Sequence, residues 1–194
     1  MIKKTTINRL IARCKRQEWA AQKELYLLFA DEMMSIAIRY SNDLPSAKDL
    51  VQDTFLIFFN KIDQFDENRG ALGAWLRRIL INKSFAQYRK NQKMIYAGDD
   101  SYEDRVSTDI SALDTLEAED ILKLLNKLPQ GCRMIFNLKV LEEYTHIEIG
   151  ELLGITPSAS RSQLTRAKKL LRDMIQKREP TRTYMEHGYK KKRV

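Results

Sequence analysis

One glycine constrains this chain more than any other residue. Gly154 interrupts a run whose apolar residues, Ile147, Ile149, Leu152 and Leu153, recur at helical spacing, and Thr156 and Pro157 follow at once. Glycine takes a left-handed backbone conformation without a side-chain clash, so it can close a helix in a tight turn. Thr156 suits an N-cap, and Pro157 suits the first helical position, where its missing N–H costs nothing. The punctuation predicts helix, turn and helix within residues 145–172. The second helix has two unlike faces. Leu164, Ala167, Leu171 and Met174 step by three or four residues along an inward seam. Arg161, Thr165, Lys168, Lys169 and Arg172 lie off that seam, with Ser162 and Arg166 beside them. A glycine turn leading into a basic helix with small polar residues near its start is the pattern of a helix-turn-helix that reads duplex DNA. A helical hairpin with a solvated cationic face is the alternative.

The rest of the chain fits an all-α protein of two small domains. Only 7 Gly and 4 Pro occur among 194 residues, helix formers abound, and no internal repeat is visible. The formal net charge of +8 is unevenly spread. Residues 1–97 carry +7, residues 98–120 carry −8 and residues 121–194 carry +9. Two basic blocks around an acidic one favour a polyanion, through counterion release, over neutral partners; a basic enzyme is the alternative on composition alone. Cys14 and Cys132 are far apart, and with His146 and His187 as the only histidines no zinc site assembles. No metal and no cofactor is expected. A reduced, cytoplasmic setting follows from the cysteine usage. Neither a signal peptide nor a membrane span is expected, and so no direct membrane insertion.

Taken in order, helices are expected at about 7–14, 17–40, 46–62 and 74–91. In the second, Leu25, Leu28, Phe29, Ile36, Ala37 and Tyr40 make the buried stripe, with Met33 and Met34 filling gaps. In the third, Ala47, Leu50, Val51, Phe55, Phe58 and Ile62 face the core, while Asp49, Gln52, Asp53 and Leu56 line a different face. That second line reads equally as a partner-docking surface or as part of a wide buried stripe. The loop 63–73, DQFDENRGALG, fails as a calcium site, because its spacing lacks the glycine and the closing glutamate such a loop needs. In the fourth helix Ile79, Phe85 and Ala86 point inward, while Arg77, Arg78, Lys83, Arg89 and Lys90 crowd it with charge. Trp75, Asn82 and Tyr88 lie among the cations, a mixture that suits unpaired nucleic acid; a core Trp beside a solvated cationic face is the alternative. Residues 95–112 read as an acidic linker, and the next helix carries on to Leu128. LPQG turns it at 128–131, and 134–141 is a mainly buried helix leading into the turn motif. The tail after Arg178, ending KKKRV, adds non-specific attraction for polyanions.

In this order the segments resemble the extracytoplasmic-function group of bacterial RNA polymerase sigma factors, which keep two domains, regions 2 and 4, joined by a linker. AKDLVQDTFLIFFNKIDQFD at 47–66 is similar to the family's region 2.2, and GALGAWLRRILINKSFAQYRK at 70–90 to regions 2.3 and 2.4. LPQGCRMIFNLKVLEEYTHIEIGELLGITPSASRSQLTRAKKLL at 128–171 is similar to region 4. The resemblance implies region 2 over 1–96, a linker over 97–118, the region 4 helix-turn-helix over 119–178 and a basic tail over 179–194. It implies a factor with no catalytic residues that directs core RNA polymerase to promoter DNA. On that footing Asp49, Gln52, Asp53 and Leu56 meet the polymerase. Asn68, Arg69, Trp75, Arg78 and Asn82 hold the melted −10 strand. Ser158, Arg161, Ser162, Thr165, Arg166 and Lys169 contact the −35 duplex. An inhibitory anti-sigma factor is a further implied partner, and the acidic linker is expected to thread toward the polymerase's RNA path.

The chain departs from the family pattern at Ala159, Ser160 and Arg161, where Thr, Val and Lys or Arg are common. Gln163 replaces a common Arg, and Gly150 stands where Ala is usual. The rival reading is a dimeric helix-turn-helix repressor or activator, which gives no role to Gln52 and Asp53 or to the Trp75–Asn82 face. An enzyme lacks a nucleophile–base pair and a phosphate-cradling glycine loop.

Overall fold

The computed structural model describes residues 4–97 and 116–178, and every regular element among them is helical. The amino-terminal unit holds α1 (Lys4–Lys15), α2 (Trp19–Tyr40), α3 (Leu44–Asn60), a 3₁₀ turn (Ile62–Gln64) and α4 (Leu72–Ala97). The carboxy-terminal unit holds α5 (Leu116–Asn126), α6 (Gln130–Phe136), a π-helical turn (Asn137–Leu141), α7 (His146–Leu153) and α8 (Pro157–Arg178). The acidic run over 98–115 and the basic tail after Arg178 lie outside the described residues.

Local chemistry sets the boundaries. Asp43 caps α3, accepting from the Ser46 N–H at 2.7 Å, so the helix begins at Leu44 with Pro45 in its first turn and not at Ser46. α3 packs between α2 and α4, burying Ala47, Leu50, Val51, Phe55 and Phe58 against Leu25, Met33, Leu76, Leu80 and Phe85. Thr54, fully buried among them, donates its hydroxyl to the Leu50 carbonyl at 2.7 Å.

Several expected core positions differ. Leu28 is 37% exposed, and Ala86 is exposed. The core side of α4 is Leu72, Leu76, Leu80, Ile81 and Phe85. Arg77, Arg78 and Lys83 among them mask this stripe in the sequence. Ile147, placed on the apolar run of the turn motif, is 64% exposed; Ile149 and Leu153 carry the burial. Of the helix expected over 134–141 only the start, to Phe136, is α-helical: Asn137–Leu141 widens to a π-helical turn, and Val140 is 43% exposed.

The widened turn brings polar side chains of the second unit to the first. The Asn137 side-chain amide, wholly buried, donates to the Arg39 carbonyl at 2.7 Å. The Glu142 carboxylate, 4% exposed, pairs with Arg77 Nε at 2.5 Å and lies 3.6 Å from Arg39. Arg133 reaches Asn42 and Asn126. The two modules therefore meet through charged and amide groups as well as apolar ones, for Met134, Ile135 and Leu138 belong to the same buried cluster as Leu76 and Phe85.

Candidate nucleic-acid interface

Asp66 builds the loop before α4. Its carboxylate accepts from the Asn68 backbone N–H at 2.9 Å and from the Asn68 amide at 3.1 Å, an Asx turn. Gly70 follows with φ of +149°, a conformation that side chains rarely adopt, and the chain doubles back into α4. Between loop and helix lies a cavity of about 410 Å³, lined by Phe65, Asp66, Arg69, Trp75 and Arg78 among others.

Trp75 serves two purposes there. Its ring meets Phe58 edge-on at 5.4 Å and Phe65 at 5.5 Å, so it belongs partly to the core, yet it also walls the cavity. Trp75 is thus a core aromatic that keeps one face on the cavity. Arg78 is exposed, and Asn82 continues the same helical face one turn on. Arg69, Trp75 and Arg78 are gathered at the cavity; Asn68 and Asn82 stand outside its lining. The neighbouring cations are spent elsewhere: Arg77 on Glu142, and Lys83 on Asp53 at 3.0 Å. The Glu142 contact holds the Arg77 guanidinium above its usual value.

On α3, Asp49, Gln52 and Leu56 are exposed and Asp53 is half-buried, in steps of three and four along one face. Leu56 is 61% exposed, so this line is not part of the buried stripe. A large exposed apolar side chain beside two carboxylates, of which Asp53 is paired with Lys83, is a surface suited to another protein.

In the second unit the turn motif has the predicted geometry. Thr145 and Glu148 close a capping box at the start of α7. The paired hydrogen bonds hold the Glu148 carboxyl below the usual carboxylate range, the backbone N–H of Thr145 being the larger cause. Gly154 has φ of +70°, and Thr156 caps α8 by accepting from the Ala159 N–H at 3.1 Å. Ser158, Arg161, Ser162, Thr165, Arg166 and Lys169 are all exposed, while Leu164 and Ala167 are buried and Leu171 and Met174 pack partly.

Two polar side chains of α8 face inward instead. Gln163 accepts from Cys132 Sγ at 3.0 Å. Ser160 is fully buried and lies 2.8 Å from His146 Nδ1. Burial first, then Lys139, Arg161 and Lys168, hold the His146 imidazole below its ordinary value. Neither pairing was foreseen from the sequence. Extending the Leu164–Ala167–Leu171 seam back four residues lands on Ser160, and a hydroxyl at a buried position calls for a partner.

Two family models match, one described as Sigma-70 region 2 over residues 25–94 and the other as Sigma-70, region 4 over residues 118–171. Among curated proteins the chain is similar to the ECF RNA polymerase sigma factor SigW of Bacillus subtilis, 27% identical, covering 87% of this chain and 96% of that one. It is 29% identical to the ECF sigma factor EcfG of Rhodopseudomonas palustris, covering 74% of this chain and 78% of that one. Among solved structures it resembles the sigma factor RpoE of Bartonella quintana, determined in complex with the anti-sigma factor NepR. That likeness has a TM-score of 0.54 at 26% identity and covers 81% of this chain and 98% of the other. With the region 2 match falling on the cavity-bearing unit and the region 4 match on the turn motif, the chain belongs to the sigma-70 family of RNA polymerase sigma factors, in its extracytoplasmic-function group.

Proposed function

We propose that this protein is the dissociable specificity subunit of RNA polymerase, with its two modules reading two promoter elements in two different physical states. The observation that carries this is the pairing of unlike surfaces on one chain. One is a cavity walled by Trp75, Arg69 and Arg78; the other is an exposed, cationic face on a helix-turn-helix.

The cavity suits an unpaired base. Trp75 supplies an aromatic wall while Arg69 and Arg78 supply charge for the backbone, and Asn68 and Asn82 extend the contact along the −10 strand. Such contacts are available only to an unstacked nucleotide, so their free energy favours the open state and helps melt the duplex. The face of α8 suits the −35 duplex: Arg161, Ser162, Thr165 and Arg166 reach base edges while Ser158 and Lys169 hold phosphates. Asp49, Gln52, Asp53 and Leu56 dock on the polymerase.

The domain limits proposed are 1–96 for region 2 and 119–178 for region 4, with an acidic linker between and a basic tail beyond. The protein acts in the cytoplasm and makes no bonds itself. Burial pushes the Cys14 thiol up to about 11, which leaves it a poor nucleophile. No helix among the described residues is long and apolar enough to cross a membrane. An anti-sigma factor is a further partner, as it is for the Bartonella relative.

Run-off transcription with purified core polymerase tests the reading. Added protein should create promoter-dependent transcripts that require both the −10 and −35 elements. A protein that leaves transcription unchanged while binding an isolated palindrome tightly as a dimer would be a repressor and would overturn the assignment.

A further inference from the structure

The contact between the two helices of the turn motif is made at a histidine. His146 is the first residue of α7, half-buried, and its Nδ1 lies 2.8 Å from the hydroxyl of Ser160. Ser160 is wholly buried in the first turn and a half of α8, immediately before Arg161. No other polar side-chain contact described between α7 and α8 is this short. The bond therefore ties the start of the DNA-facing helix to the helix that crosses behind it.

We propose that His146 is a positioning residue for −35 recognition, fixing through Ser160 how deeply α8 enters the groove and offering its second ring nitrogen, Nε2, to a phosphate of the −35 duplex. This rests on α8 reading the −35 element. Three features of the surroundings support it. Arg161 and Lys168 of α8 and Lys139 of the π-helical turn all act on the ring, so His146 stands within the same cationic cluster that would meet the DNA backbone. With Nδ1 engaged by Ser160, Nε2 is the nitrogen left for an outside acceptor. The nearby carboxylate on its own helix, Glu148, is committed to the Thr145 N–H and hydroxyl, each at 2.7 Å. On the other side of α7, α4 turns Arg77 and Arg78 toward Tyr144.

A proton is linked to this contact. In the free protein, burial and the three cations favour the neutral ring. A phosphate beside Nε2 favours the imidazolium, so the bound-state pKa is raised above the free-state value. Duplex binding then takes up a proton, and affinity strengthens as pH falls through the interval between those two values. Above both values the linkage contributes nothing. The limit for one group is about tenfold in affinity per pH unit.

The test uses holoenzyme, assembled from full-length protein and core polymerase, bound to a −35 duplex between about pH 6 and pH 8. Wild type should gain roughly three- to tenfold in affinity across this range beyond whatever His146→Gln gains. The glutamine amide can still bond Ser160, so His146→Gln should keep discrimination against a −35 base substitution while losing the pH slope. His146→Phe and Ser160→Ala should each lose discrimination by a similar factor, and the double variant should lose little more than either alone. Arg161→Ala serves as the reference. If it abolishes −35 discrimination while His146→Gln leaves the pH profile superimposable on wild type, the role of His146 is refuted and the reading of α8 stands. If Arg161→Ala leaves discrimination intact, the reading of α8 falls and this inference with it. Full discrimination in Ser160→Ala would overturn the positioning role on its own.

Discussion

Gly150 lies on the buried side of α7, and replacing it by alanine sets two known effects against each other. Alanine is the better helix former by about 0.8–1.0 kcal/mol. Part of that gain comes from restricting the unfolded chain. Against it stands the turn that follows. A Cβ at position 150 would sit 2.7 Å from the carbonyl oxygen of Ile155, about 0.7 Å inside the 3.4 Å at which ordinary contact begins. The atom it meets is backbone, so no rotamer change relieves it. Nor can the turn back away freely. The Gly154 and Ile155 N–H groups both donate to the Gly150 carbonyl, at 2.8 and 3.1 Å, and Pro157 begins α8 just beyond. Overpacking against a fixed neighbour costs about 1–3 kcal/mol. The steric cost exceeds the propensity gain, and a net loss of about 1 kcal/mol is expected for Gly150→Ala. The relaxation would also alter the angle between α7 and α8, so −35 binding should weaken more than stability does. Urea denaturation of the full chain gives the first quantity, and titration of holoenzyme with a −35 duplex gives the second. A variant that is more stable by about 1 kcal/mol, with unchanged −35 affinity, would mean that propensity alone governs the site and that the close approach imposes no constraint.

Other positions give sharper separations of function from folding. Arg161→Ala should cost about 1–3 kcal/mol at the −35 element, where a bidentate contact to guanine is lost, and a footprint unchanged there removes Arg161 from the site. Arg78→Ala should lower the salt dependence of −10 strand binding by about 0.7 in log–log slope, one phosphate contact fewer, with folding unaffected; an equal slope assigns that phosphate to another side chain. Trp75→Ala is a poorer probe, since losing its packing on Phe58 and Phe65 should itself destabilise by about 3 kcal/mol on denaturation. Leu56→Ala, at a side chain 61% exposed, should weaken polymerase binding while stability stays within about 0.5 kcal/mol; undiminished co-purification with polymerase refutes the docking face. Asp43→Ala should cost about 1 kcal/mol at neutral pH through loss of the α3 cap. Ser46 hydrogen bonds, from its side chain and then its backbone, hold the Asp43 carboxyl below its ordinary value. Its stabilisation is therefore present above the unfolded pKa and lost as pH falls through the folded one. The gap between wild type and variant should close below about pH 4.

Where the sequence was readable, the reason is that one residue type had one physical use. Gly154, Thr156 and Pro157 could hardly serve except as a C-cap, an N-cap and a first helical residue, and the chain places them so. The six α8 residues expected to face DNA are all exposed for a related reason: they share a periodicity that the buried Leu164 and Ala167 fix. Reading failed where one stretch answers to two environments. On α4 the cations at Arg77, Arg78 and Lys83 interrupt a core stripe of Leu76, Leu80 and Ile81, so of the expected inward residues Phe85 is buried and Ile79 packs partly, while Ala86 is exposed. Two of those cations are there for carboxylates, Glu142 and Asp53, that are remote in sequence. Single-helix periodicity cannot register a partner 65 residues away. Ser160 and Gln163 were hidden for the converse reason, being polar residues on an inward face whose partners lie on other helices.

The contact between the modules joins apolar burial to a polar seam, since Met134, Ile135 and Leu138 are buried in the same cluster as Phe58 and Phe85. Within each unit the buried residues are overwhelmingly apolar, and their removal from water stabilises at about 25 cal/mol per Å². Where the end of α2 meets the π-helical turn, the buried groups include Arg39, Asn137 and Glu142, and several of their atoms lack a hydrogen-bond partner. Arg39 Nε, Asn137 Oδ1 and Glu142 Oε1 are among these, with the Tyr40 hydroxyl beside them. Glu142 Oε1 keeps the Arg39 guanidinium at 3.6 Å, and a buried atom with no partner at all forfeits about 1–3 kcal/mol of solvation. The Glu142–Arg77 pair does not offset this fully, because desolvating an ion pair cancels much of its attraction. The polar groups of the contact therefore add less to stability than their burial suggests. Opening the seam would also uncover Met134, Ile135 and Leu138, so the polar groups lower the cost of separating the modules without removing it.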